Sequence, residues 1–131
     1  MTPPATKKRV LIIDDDKHIC ALLEEALGRP YETEAAQNGA QAFGSILKSR
    51  PDVILLDINL PGMTGLEILR ALKELDATIP VLVVTGNDTV AVAEDALRNG
   101  AAAYIPKPFD LRYLDHLVAA ALTGTTPPRG R

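Results

Sequence analysis

The stretch VILLDINLPGMTGLEIL, residues 53–69, decides the fold. Val53–Leu56 is apolar at every position. A strand with one wet face alternates polar and apolar residues, whereas a strand covered on both faces, as in a parallel sheet, is apolar throughout. Asp57 ends the run. Gly62 and Gly65 follow in a turn where the backbone must bend close to that aspartate. Ile68, Leu69, Leu72 and Leu75 then recur at helical spacing. The segment reads as strand, tight loop and helix.

Outward from this unit the pattern repeats. Val10–Ile13 and Val81–Val84 are further short apolar runs. Tyr31–Ala36 alternates, with Glu32 and Glu34 on one side, which suits an edge strand. Ala102–Ile105 ends at Pro106, which lacks the N–H that a central ladder needs, so this strand also belongs at an edge. Helical spacing links Ile19, Leu22, Leu23, Ala26 and Leu27, and likewise Leu114, Leu117, Val118, Ala121 and Leu122. Ala40, Phe43 and Leu47 mark another helix, and Thr89–Asn99 a weaker one whose apolar face is mostly alanine. Gly28 and Gly100 stand where helix C-terminal caps are expected. Five β-α units in strict alternation predict a doubly wound α/β fold, a parallel sheet with right-handed crossovers and five helices on both faces. In such a sheet the ligand site lies at the carboxyl ends of the strands.

Composition narrows the function classes. The chain has 131 residues, enough for one buried core, with 47 % hydrophobic and 24 % charged residues. A net charge of −3 gives no nucleic-acid footprint. A single cysteine, Cys20, forms no intrachain disulfide and no cysteine-based metal site, and it reads as a small packed residue. No apolar run approaches the ~18 residues that span a bilayer, and no signal-peptide pattern is present. A reducing, cytoplasmic setting without membrane insertion is the expectation. Residues 1–8 and 123–131 read as disordered tails or linker stubs around one domain over 9–122.

The polar residues gather at the strand ends. The first strand ends in Asp14-Asp15-Asp16, the third in Asp57 and the fourth in Thr85, while Lys107 follows the fifth. Two carboxylates ~4 Å apart repel by roughly 4 kcal/mol at an effective dielectric of about 20. One lysine does not neutralise three carboxylates, and hard oxygens without histidine or cysteine favour Mg²⁺ or Mn²⁺. A carboxylate beside such an ion can attack phosphorus and form an acyl phosphate, with Thr85 and Lys107 as donors to the new phosphoryl oxygens. Taken singly, Asp14, Asp15 or Asp57 could equally cap a helix, Thr85 could cap the helix at Thr89, and Lys107 could be a solvated surface charge. Asp16 reads as a helix N-terminal residue and His18 as an exposed one in a first turn. It is their coincidence at one sheet edge that points to chemistry.

These residues carry a resemblance. VLIIDDD at 10–16, VILLDINLPGMTGLEIL at 53–69, VLVVTG at 81–86 and AYIPKPF at 103–109 resemble the response-regulator receiver domains of bacterial two-component signalling, across roughly residues 9–122. The resemblance implies a flavodoxin-like sheet ordered 2-1-3-4-5. It implies that Asp57 is the phosphoacceptor, with Asp14 and Asp15 as the metal-binding acidic pair and the Asn59 backbone carbonyl as a further metal ligand. Thr85 and Lys107 match the phosphoryl-contacting hydroxyl and amine, Tyr104 matches the aromatic switch, and Lys107-Pro108 is expected to be cis. Gly86 stands where alanine is common, and Pro106 stiffens the fifth strand. The implied role is a phosphorelay signalling module, not an enzyme in the metabolic sense, that catalyses its own phosphorylation and dephosphorylation with Mg²⁺ or Mn²⁺. A sensor histidine kinase or histidine phosphotransfer protein would supply the phosphoryl group, and the face of α4, β5 and α5 would switch, with phosphorylation-dependent dimerisation as one outcome. Two rivals stand beside it. An aspartate-nucleophile phosphohydrolase needs an acid two residues after the nucleophile, where this chain has Asn59. A receiver-like interaction scaffold needs none of the acceptor, acidic pair, threonine and lysine that are all present.

Overall fold

A computed structural model of the chain describes residues 7–60, 62, 64–86 and 90–123. Along the chain these form β1 (Arg9–Ile13), α1 (Lys17–Leu27), β2 (Glu32–Ala36), α2 (Gly39–Lys48), β3 (Val53–Asp57), α3 (Gly65–Leu75), β4 (Val81–Thr85), α4 (Val90–Arg98), β5 (Ala103–Pro106) and α5 (Leu111–Thr123). The five strands pair in parallel in the order β2-β1-β3-β4-β5. The flavodoxin-like α/β architecture and both edge assignments agree with the sequence.

The all-apolar strands are explained by two cores, one on each face of the sheet. Leu11, Ile13, Ile54, Leu56, Val81 and Val83 point to one face, against Ala42 and Ile46 of α2, Ile68, Leu69 and Leu72 of α3, and Ala96 of α4. Val10, Ile12, Val53, Leu55, Leu82 and Val84 point to the other, against Cys20, Leu23 and Leu27 of α1 and Leu114, Leu117 and Val118 of α5. Successive strand residues face opposite ways, so covering both faces requires every position to be apolar. Each large side chain fully buried this way contributes about 1.5–3 kcal/mol.

Helix phase differs from the sequence expectation in places. In α2 the buried stripe is Gly39, Ala42 and Ile46, while Ala40 is exposed, Phe43 is half-buried and Leu47 is 77 % exposed. Gly39 and Ala42 are small and let the helix settle close to the sheet, so the stripe containing them wins over the bulkier one. In α1, Cys20 takes the buried place expected for Leu22, which is exposed together with Ala26. Leu75 ends α3 in an exposed position.

The ends of the domain reach one residue further than the sequence suggests. The Glu32 N–H donates to the Lys8 carbonyl at 2.8 Å, and α5 runs through Thr123. The rest of the expected tails, residues 1–6 and 124–131, and Thr89 lie outside the described residues. Gly28 is the C-cap of α1, and Gly100 follows α4 with φ +103°. The Gly100 and Ala101 N–H groups donate to the Leu97 and Ala96 carbonyls, the paired bonds of a Schellman cap. At the β5 edge Pro106 lies opposite Thr85, and the Lys107 N–H donates to the Thr85 carbonyl at 2.7 Å. The proline thus costs the ladder no bond there.

Candidate phosphoryl-acceptor site

Parallel pairing sets the carboxyl ends of β1, β3 and β4 side by side, and the polar residues collect there. Asp57 is the last residue of β3 and Thr85 the last of β4, and both are buried. Asp14 follows β1 and is buried too, its N–H donating to the Ala36 carbonyl of β2 at 3.0 Å. Asp15 is exposed beside it. One carboxylate oxygen from each of Asp14, Asp15 and Asp57 falls within 4.8 Å of the others. Lys107 reaches in from the loop after β5, its Nζ donating to Asp14 Oδ2 at 2.9 Å and Asp57 Oδ2 at 3.3 Å. The Lys107-Pro108 bond is cis, as the resemblance implies.

The other oxygens of Asp14 and Asp57 are held by the backbone. Asp57 Oδ1 accepts from the Asn59 N–H at 2.9 Å, and Asp14 Oδ1 from the Asp16 N–H at 2.9 Å. Asp16 is the N-cap of α1, its carboxylate accepting from the His18 and Ile19 N–H groups. The loop after Asp57 is shaped by two glycines. Gly62 has φ +82°, and the Gly65 N–H donates to the Ile58 carbonyl at 3.0 Å. A Cβ at Gly65 would lie 2.2 Å from Ile58 Cα, so only glycine fits this approach.

The electrostatics show a site short of positive charge. Burial pushes the Asp57 carboxyl above the ordinary aspartate range, and the Asp14 charge adds to this, against the opposing pull of the Asn59 N–H and Lys107. Burial works against the Lys107 ammonium, but its contacts with Asp14 and Asp57 outweigh that and raise it above the ordinary lysine range. Both groups hold protons more tightly than they would in water. A hard divalent cation relieves the same deficit, and the donor set of three carboxylates with no histidine or thiol fits one. The nearby Cys20 thiol is buried and donates to the Asp14 carbonyl at 3.3 Å. Burial, reinforced by Asp14, pushes it up to about 11, so it is held as the thiol at neutral pH.

The expected residues therefore meet: Asp14, Asp15, Asp57 and Lys107 in one cluster, and Thr85 at the adjacent strand end. His18 is exposed at the start of α1, and Gly86 is exposed with open space around its Cα. Tyr104 lies apart from the carboxylates, half-buried on β5 opposite Val83, and packs against the core that α4 covers. One contact has no signature in the sequence. The Asn59 side-chain amide donates to Thr85 Oγ1 at 2.8 Å. An asparagine two positions beyond an aspartate signals a turn, but not the direction of its side chain.

Comparison with known proteins agrees with this fold. The chain matches the response regulator receiver domain family over residues 10–119. It is 37 % identical over 123 residues to response regulator MprA of Mycobacterium sp. (strain KMS), covering 93 % of this chain and 54 % of that protein. It is 38 % identical over 105 residues to sporulation initiation phosphotransferase F of Bacillus subtilis (strain 168), covering 79 % of this chain and 85 % of that protein. The chain spans about half the length of the MprA relatives it matches. Among solved structures, a CheY-like receiver domain protein from Methanospirillum hungatei JF-1 superposes with a TM-score of 0.86 at 32 % identity, covering 91 % of this chain and 96 % of that one. NtrX from Brucella abortus does so with a TM-score of 0.86 at 30 % identity, covering 91 % of this chain and 28 % of that one.

Proposed function

We propose, from the premise that this chain belongs to the response regulator receiver domains and so to two-component signalling, that Asp57 accepts the phosphoryl group and that residues 9–122 are the receiver unit. The observation that carries this is the cluster itself: a buried carboxylate in contact with one lysine and within 4.8 Å of two further carboxylates. An Asp57 oxygen forms the bond to phosphorus while the donor's bond to phosphorus breaks. A phosphohistidine on a sensor kinase or phosphotransfer protein is the donor class, and its imidazole leaves with the bonding electron pair and takes up a proton. Lys107, already on Asp57 Oδ2, is placed to donate to the transferred group, and the Thr85 hydroxyl can do the same. The side chains of Asp14, Asp15 and Asp57 and the Asn59 carbonyl would hold Mg²⁺ or Mn²⁺, which supplies charge neutralisation to acceptor and phosphoryl oxygens. Asn59 is not an acid in the place where a phosphohydrolase needs one, which argues against that rival.

Thr85 and Tyr104 lie on neighbouring strands, and Tyr104 packs on the core under α4. A Thr85 hydroxyl drawn toward the phosphoryl group would open room for Tyr104 and alter the face of α4, β5 and α5, where a downstream partner or second copy would bind. A tenfold change in partner affinity needs only about 1.4 kcal/mol of coupling. A cytoplasmic setting suits such a partner of sensor kinases.

The test is incubation with acetyl phosphate and Mg²⁺. One hydroxylamine-labile phosphoryl group per chain is expected, absent in Asp57→Asn; stoichiometric label in that variant would move the acceptor elsewhere. Mg²⁺ at roughly ten times its Kd should stabilise the protein by about 1.4 kcal/mol, and Asp15→Asn should lose most of that response. Equal Mg²⁺ stabilisation of Asp15→Asn and wild type would overturn the metal assignment.

A further inference from the structure

A second polar surface lies away from the acceptor, toward the amino ends of the strands. There the later turns of α3 and the residues that follow α4 enclose an open groove of about 570 Å³. Arg70, Lys73 and Glu74 line one side, and Arg98, Asn99 and Gly100 the other. Two of its cations are held in place. Arg70 Nε donates to Asn99 Oδ1 at 2.9 Å, and Asn99 Nδ2 donates in turn to the Asp95 carbonyl at 2.7 Å. This fixes the guanidinium plane and leaves both Nη groups outside that bond. Lys73 Nζ donates to the Ile79 carbonyl at 2.8 Å and the Ala77 carbonyl at 3.4 Å. The Lys73 stem lies against Gly100, where an added Cβ would come within 3.2 Å of Lys73 Cγ.

Among the described residues neither Arg70 nor Lys73 is in an ion pair. Arg98 is, with Glu94 at 3.6 Å and Asp95 at 3.1 Å, so its charge is taken up. Glu67, the other acid beside Arg70, accepts from the Thr64 N–H at 3.0 Å. Arg70 and Lys73 stand three residues apart on one helix face, where like charges repel. Burial holds the Lys73 ammonium below the ordinary lysine range, against the pull of Asp76. Asp76 is itself engaged by Arg50 at 3.0 Å and by the Thr78 N–H at 2.9 Å. Against these two cations the lining carries a single carboxylate, Glu74. The groove is left with one positive charge in surplus, in a chain whose net charge is −3.

One entering carboxylate brings the groove to neutrality. A guanidinium held through Nε keeps its two Nη groups as the planar fork that a carboxylate meets through parallel bonds. A phosphate dianion fits less well, because Glu74 and the carbonyl ends of α3 and α4 repel a second negative charge. The groove is open along its length, which suits a passing chain better than an engulfed small molecule. We propose that this groove docks an acidic peptide segment of a partner protein, with one Asp or Glu carboxylate seated between Arg70 and Lys73. The inference stands apart from the reading of Asp57 as acceptor.

Titration of the isotope-labelled full chain with the peptide acetyl-Gly-Ser-Glu-Ser-Gly-amide, followed by amide chemical shifts, tests it. The same peptide with glutamine for glutamate, and inorganic phosphate, form parallel arms. Saturable shifts confined to residues 70–77 and 98–101 are expected with the glutamate peptide. The glutamine peptide, and the glutamate peptide on Arg70→Gln, should each bind about tenfold more weakly. Arg70 is exposed, so this variant keeps its fold. Arg70→Lys retains the charge without the fork and should recover only part of the loss. Glu74→Gln should tighten binding about threefold. An equal response to both peptides, an unchanged affinity in Arg70→Gln, or no saturable shift at millimolar peptide overturns the inference. Phosphate binding more tightly than the glutamate peptide overturns it as well, because the groove would then select a different anion.

Discussion

Helices α3 and α4 follow adjacent strands and cover the same face of the sheet, yet they are held very differently. α3 opens with a capping box, Glu67 N–H to Thr64 Oγ1 at 3.2 Å and Thr64 N–H to Glu67 Oε1 at 3.0 Å, and buries Gly65, Ile68, Leu69 and Leu72. Among the described side chains of α4 only Ala96 is buried, and its charged residues pair along the helix surface, Arg98 with Glu94 and Asp95. A buried methyl contributes far less than three large aliphatic side chains. The middle of α3 is joined to the residue that follows α4, where Arg70 Nε donates to Asn99 Oδ1 at 2.9 Å. A displacement at the acceptor therefore forfeits little packing if α4 yields and much if α3 does. The difference teaches that one loop at the site can be rigid, to aim the acceptor, while the helix beyond the Thr85 strand end is left easy to move.

The largest expected effect sets the two packings against each other. Leu69→Ala should destabilise by about 2–5 kcal/mol, whereas Leu97→Ala, at a side chain 48 % exposed, should change stability by no more than about 0.5 kcal/mol. Urea denaturation of both variants checks this, and comparable losses would erase the contrast.

Gly65→Ala tests whether α3 is locked to the acceptor loop. Its Cβ would meet Ile58 backbone atoms at 2.2 to 2.6 Å, so the loop must shift, at about 1–3 kcal/mol. Because Ile58 adjoins Asp57, slower labelling by acetyl phosphate is expected as well. A thermal melt and a labelling rate both equal to wild type would show that the loop is softer than it looks.

Thr64→Ala should cost α3 about 1 kcal/mol at neutral pH. The backbone N–H and then the hydroxyl of Thr64 hold the Glu67 carboxyl below the usual glutamate range. A folded value below the unfolded one means that this contribution is complete above the unfolded value and lost as pH falls through the folded value. The gap between wild type and Thr64→Ala in melting temperature should therefore narrow below about pH 4. A gap that stays constant into acid would exclude the contribution of the Thr64 hydroxyl to holding the Glu67 carboxylate.

Arg70→Gln should have the smallest effect, about 0.5 kcal/mol or less, as an exposed side-chain bond. If the link to Asn99 anchors the far end of α4, amide exchange in residues 96–101 should quicken while α3 is unchanged. Equal protection in variant and wild type would show that the link does no anchoring.

The strands were legible because burial on both faces leaves no polar position, and Val53–Leu56 and Val81–Val84 are short, apolar throughout and rich in β-branched residues. The edges were legible from Glu32, Glu34 and Pro106. Helix phase was less so. In α2 two stripes compete, Ala40-Phe43-Leu47 and Gly39-Ala42-Ile46, and hydrophobicity prefers the wrong one. Closeness of approach to the sheet decides between them, and a sequence does not display it. The same holds for Cys20 against Leu22 in α1. At the site, each acidic residue, Thr85 and Lys107 could be named from its place at a strand end, but the bond from the Asn59 amide to Thr85 depends on how the β3–α3 loop turns.

By itself the sequence determined the β-α alternation, the two-faced burial of the sheet and the end of the sheet at which the polar residues gather. These follow from local periodicity and from the rule that buried strands carry no polar side chains. Strand order was within reach only through resemblance, since the spacing of elements does not say which strands are neighbours. The tertiary structure decided the rest. It brings Lys107 to Asp14 across 93 positions of sequence and to Asp57 across 50, and it turns Asn59 toward Thr85 across 26. Such contacts depend on the register of parallel strands joined by long crossovers, where pairing is set by the packing of two whole cores.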